Sequence, residues 1–301
     1  GGAFLLAFMG AMQGLVLSGD LIQMVVFWEM TSLLSFVLIL AVPLVCLARG
    51  HRAPPAATAL VLGLGAWLKP GRGQMPYAWE VTMNWSWLSP ALLQYFYEQA
   101  TPNDYFIGVL SGPGYMYPKA IPDDKRPLLI EEARKLTDTL DLRVFEIMDY
   151  SEGTRTLGNL DLTKEVVDDY YEGMPDALGF INGYGPANTY DLRDGVPLMS
   201  FDYYLGERRP TAEAVADLQE LARMNPDRPY FLLLHIRQWS TIEHVKGILD
   251  QLGPGFEVVP LDVFLTLAAS QPDFQPRYAA PDRPLTGPLH APGSRGARDD
   301  R

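Results

Sequence analysis

The sequence has only one cysteine, Cys46, among 301 residues. This excludes an internal disulfide framework and a metal site made of cysteines alone. Histidine is also scarce: only four are present, and His235 and His244 are the two between residues 73 and 269. So few imidazoles disfavour a His-rich metal centre. We therefore expect no resident metal ion and no cofactor.

The sequence also has few basic residues and lacks the common nucleotide-binding and catalytic motifs. The chain has 24 Lys and Arg against 36 Asp and Glu, which gives a formal net charge of −12. Nucleic-acid phosphates favour clustered Lys and Arg, so a nucleic-acid partner is not expected. The sequence also lacks a Walker loop, a G-x-G-x-x-G turn after a strand, a H-E-x-x-H helix motif and a G-x-S-x-G elbow.

Charged residues are almost absent from the first 48 positions. None occurs from residue 3 to 17, and Glu29 is the only one from 21 to 47. The second run exceeds the roughly 20 apolar residues that span a bilayer, and Ser18-Gly19-Asp20 is typical of a turn. Residues 1–48 are thus predicted to form a transmembrane helical hairpin, with the lipid bilayer as a partner and a membrane-associated location.

After a linker at 49–72, which contains Pro54-Pro55, strand and helix patterns alternate through residues 73–270. The predicted strands are Tyr77–Thr82, Tyr105–Leu110, Leu142–Met148, Ala177–Ile181, Val196–Phe201, Tyr230–Ile236 and Phe256–Val259. The predicted helices are Pro90–Gln99, Pro127–Thr139, Thr163–Tyr171, Ala212–Met224, Thr241–Leu252 and Leu261–Ala269. This order predicts an α/β fold with a parallel sheet, either an open doubly wound sheet or a (β/α) TIM-like barrel that is incomplete or distorted at its start. Residues 271–301, rich in Pro, Gly, Arg and Asp, are predicted to be a disordered tail.

A glycine- and tyrosine-rich loop follows the second predicted strand. Its sequence, Gly112-Pro113-Gly114-Tyr115-Met116-Tyr117-Pro118, resembles the signature of the GxGYxYP family of putative glycoside hydrolases. The similarity extends over about residues 73–269 and includes Ser200-Phe201-Asp202-Tyr203-Tyr204 and His235-Ile236-Arg237-Gln238-Trp239. It implies a barrel fold, a carbohydrate substrate and an exported protein. Arg49 and Arg52 instead favour a cytoplasmic position by the positive-inside rule, so the side of the membrane stays open.

The first residues carry a second, unrelated resemblance. Ala7–Met12 and Phe27-Trp28-Glu29-Met30-Thr31-Ser32-Leu33 resemble antiporter-like subunits of complex I and multisubunit Na+/H+ antiporters. The resemblance implies that Glu29 belongs to a proton path. The other helices of such a membrane protein are missing, so we interpret residues 1–48 as part of a fusion and treat an antiporter fragment as an alternative.

The carboxyl ends of the predicted strands carry the candidate catalytic residues. In a parallel barrel these ends meet at one rim, where active sites lie. Asp202, Asp149 and Glu80 are acidic residues at such ends, and glycoside hydrolysis uses a pair of carboxyl groups. His235 ends a further strand and can orient a hydroxyl or act as a base. Each has a structural alternative: a capping aspartate, or a histidine paired with a carboxylate.

Flat aromatic faces and polar tips at the same rim suggest a sugar-binding surface. The predicted substrate-binding residues are Tyr115, Tyr117, Asn182, Tyr184, Tyr203, Arg237 and Trp239. Arg237 could bind the carboxylate of an acidic sugar or pair with Asp202. The orientation of Glu146, within a strand, is left open between the barrel and a helix.

The predicted function is therefore hydrolysis of a poly- or oligosaccharide by a carboxylate pair. The enzymatic alternative is a polysaccharide deacetylase-like barrel, suggested by Phe256-Glu257-Val258-Val259-Pro260-Leu261-Asp262. A non-catalytic glycan-binding domain is an alternative of a different class, since it would keep the aromatic surface without a working acid.

Overall fold

The structure is a computed structural model, and it describes residues 65–152 and 159–279. The predicted hairpin 1–48, with Glu29, lies outside these ranges, as does most of the predicted linker. Within them, no helix is long and apolar enough to cross a bilayer. The chain divides into two compact units between Lys69 and Pro70, and the fold below is that of the second unit.

A six-stranded sheet forms the framework of this unit. Its strands are β1 Tyr77–Val81, β2 Asp104–Gly108, β3 Val144–Ile147, β4 Gly179–Asn182, β5 Asp191–Arg193 and β6 Val196–Ser200. Their order is β1-β2-β3-β4-β6-β5, and all neighbours are parallel except the edge pair of β5 and β6. Two further strands, β7 Tyr203–Leu205 and β8 Leu234–Ile236, pair in parallel as a second sheet.

Helices separate most of these strands. They are α1 Trp85–Leu88, α2 Pro90–Gln99, α3 Arg126–Leu140, α4 Lys164–Gly173, α5 Thr211–Met224, α6 Ile242–Leu249 and α7 Leu261–Ser270, with a short 3-10 turn at Pro118–Ala120. Strand-helix alternation places helices over a parallel sheet because each crossover must return to the same edge. The result is a mixed α/β fold dominated by a parallel sheet, compatible with a TIM-like domain.

The strand register sorts the side chains onto two faces. Glu80 pairs with Ile107, and Glu146 pairs with Ile181. These residues share a face with Val109, Val144 and Met199, which form one apolar cluster with residues of α7. We call it the inner face. Alternate residues point the other way, and there Phe145 and Phe180 pack against Tyr170 of α4.

The inner face is covered near the amino ends of its strands, and the sheet curves so that its first and last strands approach each other at their carboxyl ends. A Cβ on Gly179, the first residue of β4, would lie 3.0 Å from Leu265 of α7, so this helix covers the amino ends of the strands. At the other end, His235 of β8 lies 3.0 Å from Glu80 of β1. The curvature therefore leaves the carboxyl ends of the strands as the place for a site.

Several details differ from the sequence predictions, including the strand predicted at Tyr230–Ile236, of which only Leu234–Ile236 forms a strand. The predicted strand Phe256–Val259 is wrong: these residues form neither strand nor helix, and Val258 is 45% exposed, so little burial favours pairing there. The strands β5 and β7 were not predicted because three-residue strands have no measurable periodicity.

Residues 271–279, at the start of the predicted tail, make contacts with the domain. The Asp273 carboxylate accepts a hydrogen bond from Phe231 N at 2.9 Å. Arg277 pairs with Tyr190, and Ala279 N donates to Leu162 O. Residues 271–279 therefore pack along the domain because they find backbone partners at its edge. The rest of the predicted tail lies outside the described residues.

Candidate active site

The signature loop is fixed to the neighbouring strand by a buried serine. Ser111 is fully buried, and its hydroxyl donates to Met148 O at 2.7 Å and accepts from Met148 N at 2.8 Å. Tyr170 donates a short hydrogen bond to Ser111 O. Ser111 itself has a φ of 66°, a left-handed conformation that side chains rarely adopt. The loop is thus held in a strained backbone shape by contacts with β3 and α4.

Little room is left for a side chain immediately after this serine. A Cβ on Gly112 would lie 2.6 Å from Met116 Sδ, which is closer than real side chains approach. The bend brings Met116 N to Leu110 O at 3.1 Å and leaves Tyr115 half exposed. The signature therefore presents its tyrosines at the surface from a tightly packed turn.

Five tyrosines form a continuous series of ring contacts, which we call the aromatic row. Its members are Tyr115, Tyr117, Tyr150, Tyr184 and Tyr204, with centroid separations of 5.5, 6.4, 6.1 and 5.8 Å between successive rings. Separations of this size are typical of favourable aromatic pairs. The row joins the signature loop to the end of β8, because Tyr184 lies 4.5 Å from the ring of His235.

Glu80 and His235 form a close polar pair at this end of the row. Their Oε1 and Nε2 atoms are 3.0 Å apart, with the Glu80 side chain 34% exposed and His235 buried. The other ring nitrogen of His235, Nδ1, is buried and has no hydrogen-bond partner in the described part of the chain. Glu80 is thus a carboxylate that solvent can reach, oriented by a histidine.

Glu146 is a second carboxyl group on the inner face, in a very different environment. The residue is 1% exposed, and neither carboxyl oxygen has a hydrogen-bond partner among residues 65–152 and 159–279. Burial, together with the charge of Glu80, raises the pKa of Glu146 well above its ordinary value of 4.5. Burial without hydrogen-bond partners favours the protonated form of a carboxyl group. The site therefore combines an accessible carboxyl group with a buried one whose pKa is raised.

Asp149 anchors two loops. Its side chain is buried and accepts hydrogen bonds from Lys119 N at 2.7 Å and Ser151 N at 2.8 Å. Burial raises the pKa of Asp149, although Lys119 and Ser151 oppose that rise. Because these donors occupy the carboxylate, it ties the signature loop to the loop after β3, beneath the aromatic row.

Asp202 lies in a different group of side chains. Its carboxylate accepts from Leu233 N at 2.8 Å and from Tyr230 OH at 3.3 Å. Burial raises the pKa of Asp202 to about 6, opposed by these two hydrogen bonds and aided by the charge of Asp273. The contacts place Asp202 at the irregular segment that leads into β8, and they do not join it to Glu80 or Glu146.

Of the predicted binding residues, Arg237 joins the row most directly. Its Nη1 donates to Tyr184 OH at 3.0 Å and to Tyr204 OH at 2.8 Å, and no ion pair with Asp202, the alternative partner, occurs among the described residues. Tyr115, Tyr117 and Tyr184 are members of the row.

The remaining predicted binding residues lie elsewhere. Tyr203 OH donates to Asp217 of α5 at 2.5 Å, and Asn182 Nδ2 donates to Ser200 Oγ at 3.1 Å. Strand alternation puts both on the face opposite Glu146 and His235. Trp239 is 43% exposed, beyond the end of β8.

Sequence reasoning missed Glu146, Tyr150 and Tyr204 as site residues. Tyr204 pairs with His235 in the β7–β8 register, and so shares its face. Strand alternation was the available signal. Once His235 is placed on the inner face, its pairing with β7 determines which of Tyr203 and Tyr204 shares that face. For metal binding, no group of three or more His, Cys, Asp and Glu side chains with suitable spacing occurs in the described ranges.

Comparisons with known proteins separate the two parts of the chain. A probable K(+)/H(+) antiporter protein of Rhizobium meliloti is 65% identical over 37 residues, which is 12% of this chain and 4% of that protein. The antiporter resemblance thus rests on a short segment alone.

Comparison with solved structures gives two alignments of different quality. A crystal structure described as a putative hydrolase from Bacteroides thetaiotaomicron aligns with a TM-score of 0.57 and 20% identity, over 69% of this chain and 41% of that one. This likeness shows the fold. A 4-alpha-glucanotransferase from Thermococcus litoralis aligns at a TM-score of 0.37 and 14% identity, over 70% of this chain and 35% of that one. The chain spans less than half the length of either protein.

The family match covers most of the described unit. Residues 63–269 match the family described as "GxGYxYP putative glycoside hydrolase C-terminal domain", in agreement with the signature at Gly112–Pro118. This chain therefore belongs to the GxGYxYP family.

Proposed function

We propose that this domain is a glycoside hydrolase that cleaves a poly- or oligosaccharide at the carboxyl ends of the strands of a TIM-like barrel. The observation that carries the proposal is that two carboxyl groups in unlike environments share the inner face, close enough for the charge of Glu80 to act on Glu146. Glu80 is accessible and paired with His235, whereas Glu146 is buried and its pKa is raised. Family membership and the neighbouring aromatic row support a carbohydrate substrate.

Glycosidic cleavage needs one carboxyl group as an acid and one as a nucleophile or base. A raised pKa suits the acid, and an ionised, hydrogen-bonded carboxylate suits the other role. We accordingly assign the proton to Glu146 and the attacking or base role to Glu80. His235 fixes the Glu80 carboxylate through the 3.0 Å contact, and the tyrosines provide faces on which sugar rings stack.

The test is to incubate the full chain with a panel of plant and bacterial glycans and to measure product masses. We expect shortened oligosaccharides, with Glu80→Gln lowering the rate by about 10²- to 10⁴-fold. Asp202→Asn is the control, because it also replaces a carboxyl group by its amide but lies outside the Glu80 group. Cleavage that survives in Glu80→Gln and disappears in Asp202→Asn would move the catalytic role to Asp202.

The aromatic row also supports the second candidate, a glycan-binding domain without catalysis. In that case a glycan binds to wild type and Glu80→Gln alike, and no product mass changes. A deacetylase would instead release acetyl mass without shortening the chain. These three outcomes are distinct in one mass spectrum.

Membrane attachment through residues 1–48 stays a separate prediction. It is tested by asking whether the full chain sediments with membranes and whether alkaline wash leaves it there. Transport by an antiporter fragment would appear as proton flux in vesicles that Glu29→Gln removes.

A further inference from the structure

Arg237 occupies a position beside the proposed catalytic group. It follows β8 directly, and its backbone N continues the β7–β8 pairing by donating to Leu205 O at 3.0 Å. Alternation puts its side chain on the same face as His235. Its partner Tyr184 contacts the His235 ring, which in turn contacts Glu80. The guanidinium therefore lies three side-chain contacts from the accessible carboxylate, through Tyr184 and His235.

The hydrogen-bond partners of this guanidinium are neutral, and the charge of Glu207 acts on it without a direct ion pair. One nitrogen, Nη1, donates to the Tyr184 and Tyr204 hydroxyls. No carboxylate of the described residues forms an ion pair with Arg237, and its other nitrogens have no hydrogen-bond partner there. By contrast, Arg72, Arg126 and Arg193 each place a guanidinium nitrogen within 3.0 Å of a carboxylate. Arg237 is thus oriented, half-buried and still able to receive an anion.

An oriented arginine with unused N–H groups is suited to a planar carboxylate, which two parallel hydrogen bonds can hold. Sugar rings stacked on the aromatic row would bring their substituents close to the Arg237 guanidinium. We propose that Arg237 recognises the carboxylate of a hexuronic acid next to the cleaved bond, so that the substrate is an acidic glycan. The substrate class rests on the proposed glycoside hydrolase function, whereas the binding preference can be measured without it.

The test compares ligands that differ only in charge. Oligogalacturonate and oligoglucuronate are titrated by calorimetry into the full chain, each beside its methyl ester, which keeps the sugar and removes the charge. Wild type should bind one acid about tenfold or more tightly than its ester. Arg237→Gln should abolish that preference. Arg134→Gln, which removes an equal charge from the exposed surface of α3, should retain it.

Several results would overturn the inference. If wild type binds the acid and its ester equally, the inference is contradicted. This measurement uses wild type alone, so it stands even if Arg237→Gln fails to fold. A preference that persists in Arg237→Gln also contradicts it. Tighter binding of a galactose 6-sulfate oligosaccharide than of either uronate would assign the site to sulfate esters instead. Binding of the acid without cleavage would refute only the hydrolase, and cleavage of neutral glycans alone would refute only the acidic substrate.

Discussion

Replacing Glu146 by Gln is expected to change how stability depends on pH. The Glu146 carboxyl is buried, and burial together with the Glu80 charge raises its pKa well above 4.5. The folded domain therefore keeps the proton at pH values where the unfolded chain has released it. Gln has the same shape and no proton to lose, so the variant lacks this contribution.

The sign and size follow from proton linkage. Because the folded pKa is raised, the contribution of Glu146 is fully present below about pH 4.5 and is lost as the pH rises toward the folded pKa. Across that window the folded state binds one more proton than the unfolded state. The free energy of unfolding therefore falls by about 1.4 kcal/mol per pH unit in wild type relative to Glu146→Gln. For a domain of about 200 residues this corresponds to about 3–6 °C per pH unit.

The assay is urea unfolding of both chains from about pH 5 to about pH 8, followed by tryptophan fluorescence. Subtracting wild type from variant cancels the other carboxyl groups. Asp202→Asn is the control: the pKa of Asp202 is raised only to about 6, so its difference should level off above that pH while the Glu146→Gln difference continues to grow. A Glu146→Gln difference that stays constant across the range would show that Glu146 is ionised in the fold, and it would remove the proposed acid.

Three further outcomes are expected. Ser111→Ala should lower the free energy of unfolding by about 1–3 kcal/mol, because it leaves the buried N–H of Met148 without its partner; urea unfolding measures this, and an unchanged midpoint contradicts the anchoring role. Tyr204→Phe should weaken glycan binding with little loss of stability, whereas Tyr203→Phe should cost about 1 kcal/mol of stability through its lost bond to α5 and leave binding intact. Equal effects of the two substitutions would contradict the assigned faces. Glu80→Gln should lower the pKa of Glu146, since it removes the neighbouring charge. The pH range over which Glu146 affects the free energy of unfolding should then be narrower, as measured by comparing Glu80→Gln with the Glu80→Gln, Glu146→Gln double variant. An unchanged range means that burial alone raises the pKa.

Local patterns in the sequence were enough to place the main elements. The helix Pro90–Gln99 was predicted with its observed ends, because Pro fits the first turn and the apolar residues recur at helical spacing. The strand starting at Val196 was predicted from a continuous apolar run. The signature loop was located by its glycines and prolines, whose backbone requirements are local.

The site itself depends on distant pairing. Glu146 lies inside an apolar strand, and alternation fixes which neighbours share its face but not which face is inside. That choice comes from the register with β2 and β4. The contact between Glu80 and His235 requires the first and last strands to approach, which no local pattern records. For the same reason the sequence could not show that Tyr204, and not the predicted Tyr203, shares the face of His235.

The segment after α7 bears on where the domain can be cut. The family match ends at residue 269, yet Asp273 binds Phe231 N and Tyr278 OH donates to Asp191 of the edge strand β5 at 2.8 Å. A chain ended at the family boundary would expose backbone groups along that edge, which invites association with other chains. Expression of the domain should therefore extend through Ala279, and poor solubility of a shorter product would reflect its missing edge cover.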